Sequence, residues 1–405
     1  MTPALRQIVF INAAHTITHY SLVILPTAVL AMAVPGGPFG DSYGPILGLA
    51  TGMFVLYGLL SLPQGWLAQR FGRKILMTAF FLGTAVGLIG AGLAHSSAML
   101  AIALAFTGGF IAIYHPIGTT MLVEAAGDKP GRSIGVNGVF GNLGVALAPV
   151  VTAILANDLG WRAAFIAPGL FCAAVGLLWM RTPLASTHLH VNRRPFPAIP
   201  HHLVRRAVVV LMLIAMTSGL VFNAFTLLLP KLLQERLAEN ATLLPLVGVA
   251  AFLVTLCGAL TQFSVGRMID RNTLKRVFLP VSIVLAPAML ALSFAQGWLV
   301  LPLGAVVAAS VFGQVTVNDT MTARYISPEL RARIYSVRFF VGFLGSAAAA
   351  PLVSTLYERT GSVAAITTVL AVFSLMTLGC ALFFPNRKEE LEPELWADAP
   401  PAAAE

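Results

Sequence analysis

Long apolar runs broken by short polar turns repeat along the whole chain. They fall near residues 8–32, 44–67, 75–95, 98–121, 134–156, 162–181, 207–229, 242–265, 277–296, 298–320, 335–356 and 363–384. Each is close to the roughly 20 residues that an α-helix needs to cross a bilayer. The strands of a membrane barrel would instead alternate over segments of about ten residues. The pattern predicts an all-α integral membrane protein with twelve transmembrane helices.

Composition narrows the class further. The 405 residues are 58% hydrophobic and 10% charged, with a mean hydropathy of +0.85. Soluble domains carry about 25% charged residues. A soluble enzyme is excluded, and so is a disordered or fibrous chain. The net charge of +9 is small for this length and does not point to nucleic acid. Cys172, Cys257 and Cys380 lie in apolar runs, with no spacing for a disulfide framework or a zinc ribbon. The run after Arg6 is too long, and in places too polar, for the apolar core of a cleavable signal.

The basic residues orient the spans. All but Arg162, Lys231, Arg236, Arg359 and the intraspan Arg338 lie on the tails and even-numbered connections, which is 20 of the 25 Lys and Arg. By the positive-inside rule, both termini are expected in the cytoplasm of a cell whose inner (plasma) membrane holds the chain. The longest connection, 182–206, carries Pro183, Pro195, Pro197 and Pro200 with His188, His190, His201 and His202. It is read as a cytoplasmic linker between a six-helix bundle at 1–181 and another at 207–384. The tail 385–405 is acidic, with Glu389, Glu390, Glu392, Glu394, Asp398 and Glu405, and is expected to be solvated and disordered.

The two halves echo each other at an offset of about 200. His19–Pro26 (HYSLVILP) resembles Asn223–Pro230 (NAFTLLLP), Gly65–Arg70 (GWLAQR) aligns with Gly266–Arg271 (GRMIDR), and Pro149 matches Pro351. Parallel repeats of this kind mark carriers that work by alternating access, with the solute site near the midplane.

GWLAQRFGRK, Gly65–Lys74, resembles the loop signature of the major facilitator superfamily (MFS), G-x-L-A-D-R-x-G-R-K. Gly65, Leu67, Ala68, Arg70, Gly72, Arg73 and Lys74 match. Gln69 stands where the family has Asp, while the second copy keeps an acid at Asp270, beside Gly266 and Arg271. GWRAAF, Gly160–Phe165, is similar to the family's turn from the fifth to the sixth span. The resemblance covers nearly the whole chain and implies two pseudo-symmetric six-helix bundles. It also implies a conformational lock at the loop, weakened at Gln69. Gly135, Gly144 and Ala148-Pro149 resemble the antiporter signature G-x8-G-x3-G-P of drug:proton exporters, with Ala for one Gly. Gly138 and Gly141 add to it. Small residues let helices approach closely, and Pro149 permits a bend, so ordinary packing explains the same positions. Tyr114-His115-Pro116 is similar to the fosmidomycin-resistance branch, although Ile117 follows where that branch has an acid.

Polar residues inside the spans cost free energy unless they are partnered. On the first span, Asn12, His15, Thr16, His19 and Tyr20 fall within one arc of about 140° and predict a cavity-facing stripe. Packing and metal binding by His15 and His19, four residues apart, are the other readings. His115 precedes Pro116, which cannot donate a backbone hydrogen bond, so local unwinding is expected there. The three histidines can converge, and histidine is suited to carry a proton near neutral pH. Asn142 on the fifth span joins the candidate solute and proton site. On the seventh span, Met212, Met216, Gly219, Asn223 and Thr226 share a face. They read as apolar filler around a polar Asn223, or as partners for a soft cation. The tenth span ends with Gln314, Asn318 and Asp319, and an intramembrane acid calls for a partner, Arg338 or Arg324. Glu124, near Lys129 and Arg132, reads as a surface acid.

No phosphate-binding loop, nucleophile–base pattern or dinucleotide fingerprint occurs, so no enzyme activity and no cofactor is expected. The sequence therefore predicts a monomeric secondary carrier in the lipid bilayer, coupled to protons and exporting a small organic molecule or drug. The alternative is a carrier of a transition metal or metal chelate that uses the histidines and methionines.

Overall fold

A bilayer offers no hydrogen-bonding partner to a peptide group, so a chain this apolar must close its backbone bonds within helices. The computed structural model describes residues 2–126, 130–184, 199–237 and 244–391, and among them there is no strand. Eleven of its helices are long and apolar enough to cross a membrane, and one bent pair completes a twelfth span. In order, the spans are Pro3–Met32, Tyr43–Leu59 with Gln64–Phe71, Arg73–Gly92, Ser97–Ala126, Ser133–Leu159, Ala163–Met180, His201–Arg236, Leu244–Ile269, Leu274–Phe294, Gly297–Thr322, Val337–Thr360 and Val363–Phe383.

Three spans depart from straight helices, each beside a proline. The first is interrupted at Val23, because Pro26 has no N–H to bond one turn back. The second bends by 64° across 60–63, where Pro63 immediately precedes its second part. The fourth widens into a π-turn at Tyr114–Gly118 around Pro116, which is the form the local unwinding at His115 takes. Gly72, at φ +83°, separates the second span from the third, and only a residue without Cβ adopts that angle cheaply.

The chain forms two compact units. The first comprises Met1–Val191, Thr226–Leu256 and Ala347–Val363. The second comprises Asn192–Phe225, Cys257–Ser346 and Ala364–Glu405. In the first unit the first span packs on the fifth, and the third packs on the fourth and sixth. Within that unit the start of the second span is also tied to the seventh and eleventh. Tyr43 Oη donates to the Leu227 carbonyl at 3.0 Å, and Tyr357 Oη donates to Glu235 Oε1 at 2.6 Å. Lys231 lies over both tyrosine rings at 5.6 Å.

In the second unit the ninth span packs on the tenth, around Val265, Ile269, Leu274, Phe278, Val317 and Tyr325. Outward-facing apolar side chains such as Ile102, Phe171 and Phe294 are left for lipid to cover.

The acidic tail is a correction to the sequence reading. Residues 385–391 are folded onto the second unit, and 392–405, with most of the tail's acids, lie outside the described residues. Glu390 is fully enclosed. Its carboxylate accepts from the Leu274 backbone N–H at 2.8 Å and from Tyr325 Oη, and pairs with Arg324 at 3.3 Å. The carboxylate thus caps the ninth span and sits at its positive N-terminus. The linker residues 185–198, including His188 and His190, also lie outside the described residues, whereas His201 and His202 are exposed at the start of the seventh span.

Burial raises the Glu390 pKa above the ordinary carboxylate value, and the Leu274, Tyr325 and Arg324 contacts partly offset it. A folded acid with a raised pKa contributes most to stability at low pH and loses that contribution as pH rises through its folded pKa. Protection of residues 385–391 from protease should therefore be greater at about pH 5 than at about pH 8. Glu390→Ala should remove it and cost about 1–3 kcal/mol, because the Leu274 N–H is left unsatisfied. Tail protection that is unchanged in this variant would remove the docking.

Candidate functional site

Along the first span, Asn12, His15, Thr16 and His19 recur at helical spacing, and the fifth span presents small residues to them. A Cβ built on Gly141 would lie 2.5 Å from His15 Cε1 and 2.6 Å from Nε2, so Gly141 leaves the room that the imidazole fills. One turn on, Gly144 lies hard against the Thr16 carbonyl. Gly135 and Gly138 face open space, so the expected packing role of Gly135 is not one this structure uses. Pro149 runs inside the fifth span and, with Val23, Val145, Thr226 and Ala251 among others, lines a small pocket in the first unit.

The three histidines come together. Ring centroids are 4.9 Å apart for His15–His19, 5.3 Å for His15–His115 and 5.5 Å for His19–His115. The planes are tilted or perpendicular, at 51°, 85° and 76°. Each ring offers one nitrogen, and the three atoms all lie within 4.8 Å of one another. Tyr114 stacks on His15 at 4.8 Å, and Tyr57 stands 6.2 Å from His115.

A hydrogen-bond chain across three spans holds this cluster. His15 Nδ1 lies 2.7 Å from the Asn137 carbonyl, which can only accept, so Nδ1 carries the proton. Tyr114 Oη donates to Asn137 Oδ1, and Asn137 Nδ2 donates to Asn12 Oδ1, each at 2.9 Å. Asn137 and Tyr57 are missing from the residues the sequence singles out. Asn137 was legible as an amide on the same helical face as Gly141 and Gly144. Tyr57 carries no sequence signal, because the bend of the second span decides where it points. Tyr20 lies further along the first span, half-buried, and Asn142 is half-buried beside Gly141.

The second unit repeats the close approach with other chemistry. Gly345 lies hard against the Met216 carbonyl, matching Gly144 on Thr16 at an offset of about 200. Asn223 Nδ2 donates to Ser346 Oγ at 2.9 Å, and Ser218 Oγ donates to Gln314 Oε1 at 2.9 Å. Met212 packs against the apolar core of this unit as filler. Where the first half has Asn137, the second has Arg338, whose guanidinium pairs with Asp319 at 2.5 Å. The Arg338 side chain is 10% exposed and that of Asp319 54%, while Asn318 is buried one residue earlier.

The loop motifs hold their helices through partners the sequence reading did not choose. Arg73 pairs with Glu124, whose side chain is only 12% exposed, so Glu124 is not a surface acid. Its partner lies 51 residues away, out of reach of local inspection. Lys74 donates to the Thr182 carbonyl. Gln69 and Arg70 are exposed. Asp270 and Arg271 are exposed as well, and among the described residues no ion pair is formed by Asp270, against the expected lock. Arg324 holds that loop instead, donating to the Ile269 carbonyl at 2.6 Å and the Asn272 carbonyl at 3.3 Å.

A model of the Major Facilitator Superfamily matches residues 16–255 and 241–404. Multidrug resistance protein MdtG of Citrobacter koseri is 24% identical over 332 residues, 78% of this chain and 79% of its own length. Uncharacterized transporter YgaY of Escherichia coli O157:H7 is 30% identical over 149 residues, and that match spans only 35% of YgaY. In fold, the chain is similar to a bacterial homologue of the human lysosomal transporter Spinster, with TM-score 0.74, 14% identity and coverage of 95% of this chain and 97% of that one. The xylose transporter XylE of E. coli gives TM-score 0.73 at 13% identity, covering 96% and 99%.

Two pairs of substitutions check this geometry. Gly141→Ala should destabilise the protein by about 1–3 kcal/mol through its clash with His15. Gly138→Ala, facing open space, should be tolerated, and thermal unfolding compares the two. Glu124→Gln should lower transport several-fold, with Asp270→Asn near the wild-type rate. The reverse order would return the lock to Asp270.

Proposed function

The chain belongs to the Major Facilitator Superfamily, and we propose that it is a proton-coupled exporter of small organic molecules in the bacterial inner membrane, with both termini in the cytoplasm. It is a multi-pass membrane transporter that moves a small solute. The name of the MdtG relative, a multidrug resistance protein, supports export and an organic substrate. The excess of Lys and Arg on the tails and even-numbered connections supports the orientation.

The observation that carries the coupling is the ion pair of Asp319 and Arg338 on the tenth and eleventh spans. An acid inside a span is costly unless it is paired, and it marks a proton or ion pathway by default. The unequal exposure of this pair suits a switch. The carboxylate is the open member of the pair, while the guanidinium is almost wholly enclosed by the protein. Protonating Asp319 cancels its charge and alters the balance around Arg338, which biases one conformer over another. Solute bound to the favoured conformer then moves as the halves alternate in access.

Proteoliposomes loaded with a fluorescent lipophilic cation such as ethidium test this reading. The wild type should expel the dye when a pH gradient is imposed. Asp319→Asn should still exchange dye for dye at equal pH and lose the response to the gradient. A variant whose gradient response is intact would take the coupling away from Asp319. A wild type indifferent to the gradient would remove proton coupling altogether.

A further inference from the structure

We propose that His15, His19 and His115 form a binding site for a single first-row divalent transition-metal ion, with zinc and cobalt as the best-fitting members. The proposal goes beyond the carrier reading and does not depend on Asp319.

The cluster meets the requirements of such a site. Tetrahedral ligation with metal–nitrogen bonds of about 2.0–2.1 Å sets ligand nitrogens about 3.3 Å apart. Here the three nitrogens all lie within 4.8 Å of one another. A swing of the His19 and His115 rings of about 1.5 Å closes the gap to that tetrahedral spacing. His115 is turned edge to face against both other rings, and His15 and His19 are tilted by 51°, so the three rings are not stacked in parallel and their lone pairs can converge on a point.

His15 is the fixed member. Its Nδ1–H donates to the Asn137 carbonyl, which leaves Nε2 as the lone-pair nitrogen. Metal-bound histidines are held in this way, with the second nitrogen donating to a carbonyl or carboxylate that fixes tautomer and ring plane. Asn137 is itself held by Tyr114 and Asn12, and Gly141 supplies the space for the ring. His19, one turn after His15, faces the same way, and the π-turn at Pro116 carries His115.

Ligand chemistry selects the ion. The cluster consists of imidazoles alone, which suits zinc, cobalt, nickel and copper rather than the oxygen-seeking magnesium and calcium. Three protein ligands leave a fourth position open, where water or a donor atom of a transported solute can bind.

The test uses the full-length protein, purified in detergent and stripped with EDTA, titrated with Co2+. One equivalent should bind and give the strong visible absorption of four-coordinate cobalt, and Zn2+ should displace it. His15→Gln, His19→Gln and His115→Gln should each weaken binding at least tenfold. Tyr114→Phe, which loses the bond to Asn137, should weaken it about 10-fold. A variant with His188, His190, His201 and His202 all changed to Ala should bind as the wild type does.

Thermal unfolding without metal shows which variants are folded. If a His→Gln variant is unfolded, the folded Tyr114→Phe protein decides. Weak six-coordinate absorption only, cluster variants that bind like the wild type, or loss of binding in the linker variant would each overturn the site. The readout is equilibrium binding, so its failure leaves proton-driven transport standing, and a failure of proton coupling leaves the metal site standing.

Discussion

Hydrocarbon supplies no hydrogen bonds, and that lack organises this molecule from backbone to side chains. It forces helices, and it makes polar side chains inside them costly unless they are partnered, either within their own helix, as Thr18 is by the Ala14 carbonyl, or across to another. His15 finds one in the Asn137 carbonyl, Asn223 in Ser346, Ser218 in Gln314 and Asp319 in Arg338. Each of these bonds joins two spans. The polar residues therefore act as register pins between helices whose remaining surfaces are interchangeable apolar side chains. Glycine makes the pins possible, because Gly144 and Gly345 bring two backbones close enough for short side chains to reach across.

The two halves keep this packing device and diverge in the chemistry it supports. Gly144 on the Thr16 carbonyl and Gly345 on the Met216 carbonyl are the same contact made twice. Around the first lie three imidazoles and two amides. In the second half the polar groups are two amides, hydroxyls and an ion pair. The ends of the fourth and tenth spans show a comparable exchange. Glu124 meets Arg73 in one half, while Arg324 occupies the corresponding place in the other and meets Glu390 of the tail. The sign of the charge is inverted and the missing acid comes from the end of the chain. In each half the start of one helix is held by a charge from another element, so the constraint is preserved while its residues change.

Prolines set the local shape on which the site depends. Pro116 turns a stretch of α-helix into a π-turn, and His115 sits in that turn within 5.5 Å of both His15 and His19. Pro63 bends the second span, and Tyr57 lies on the limb before the bend, beside His115. Removing one backbone donor is a small chemical change, and its consequence is the direction of a whole side chain.

Much of this was legible in the residues alone. Twelve spans, the family and the twofold repeat follow from run length, the spacing of GWLAQRFGRK and the echoes between the halves, because a bilayer's thickness and a helix's rise leave few alternatives. The polar face of the first span follows from periodicity, and the need of Asp319 for a basic partner follows from the cost of a lone charge in a span, with the structure choosing Arg338 over Arg324. Other features depend on distance through space. Glu124 looks like a surface acid until Arg73 is brought to it, and Glu390 looks like part of a solvated tail until Leu274, Tyr325 and Arg324 enclose it. Asp270 keeps the family's acid in sequence, yet Arg324 holds its loop through backbone carbonyls. Asn137 shows in sequence as an amide on the face of Gly141 and Gly144, yet it anchors the histidine cluster through its carbonyl, a group every residue possesses and no sequence pattern marks. Sequence determined which groups were costly to bury. Only the packing of helices remote along the chain decided which partner removed that cost, because hydrogen bonds and ion pairs form over a few ångströms of space whatever the separation in sequence.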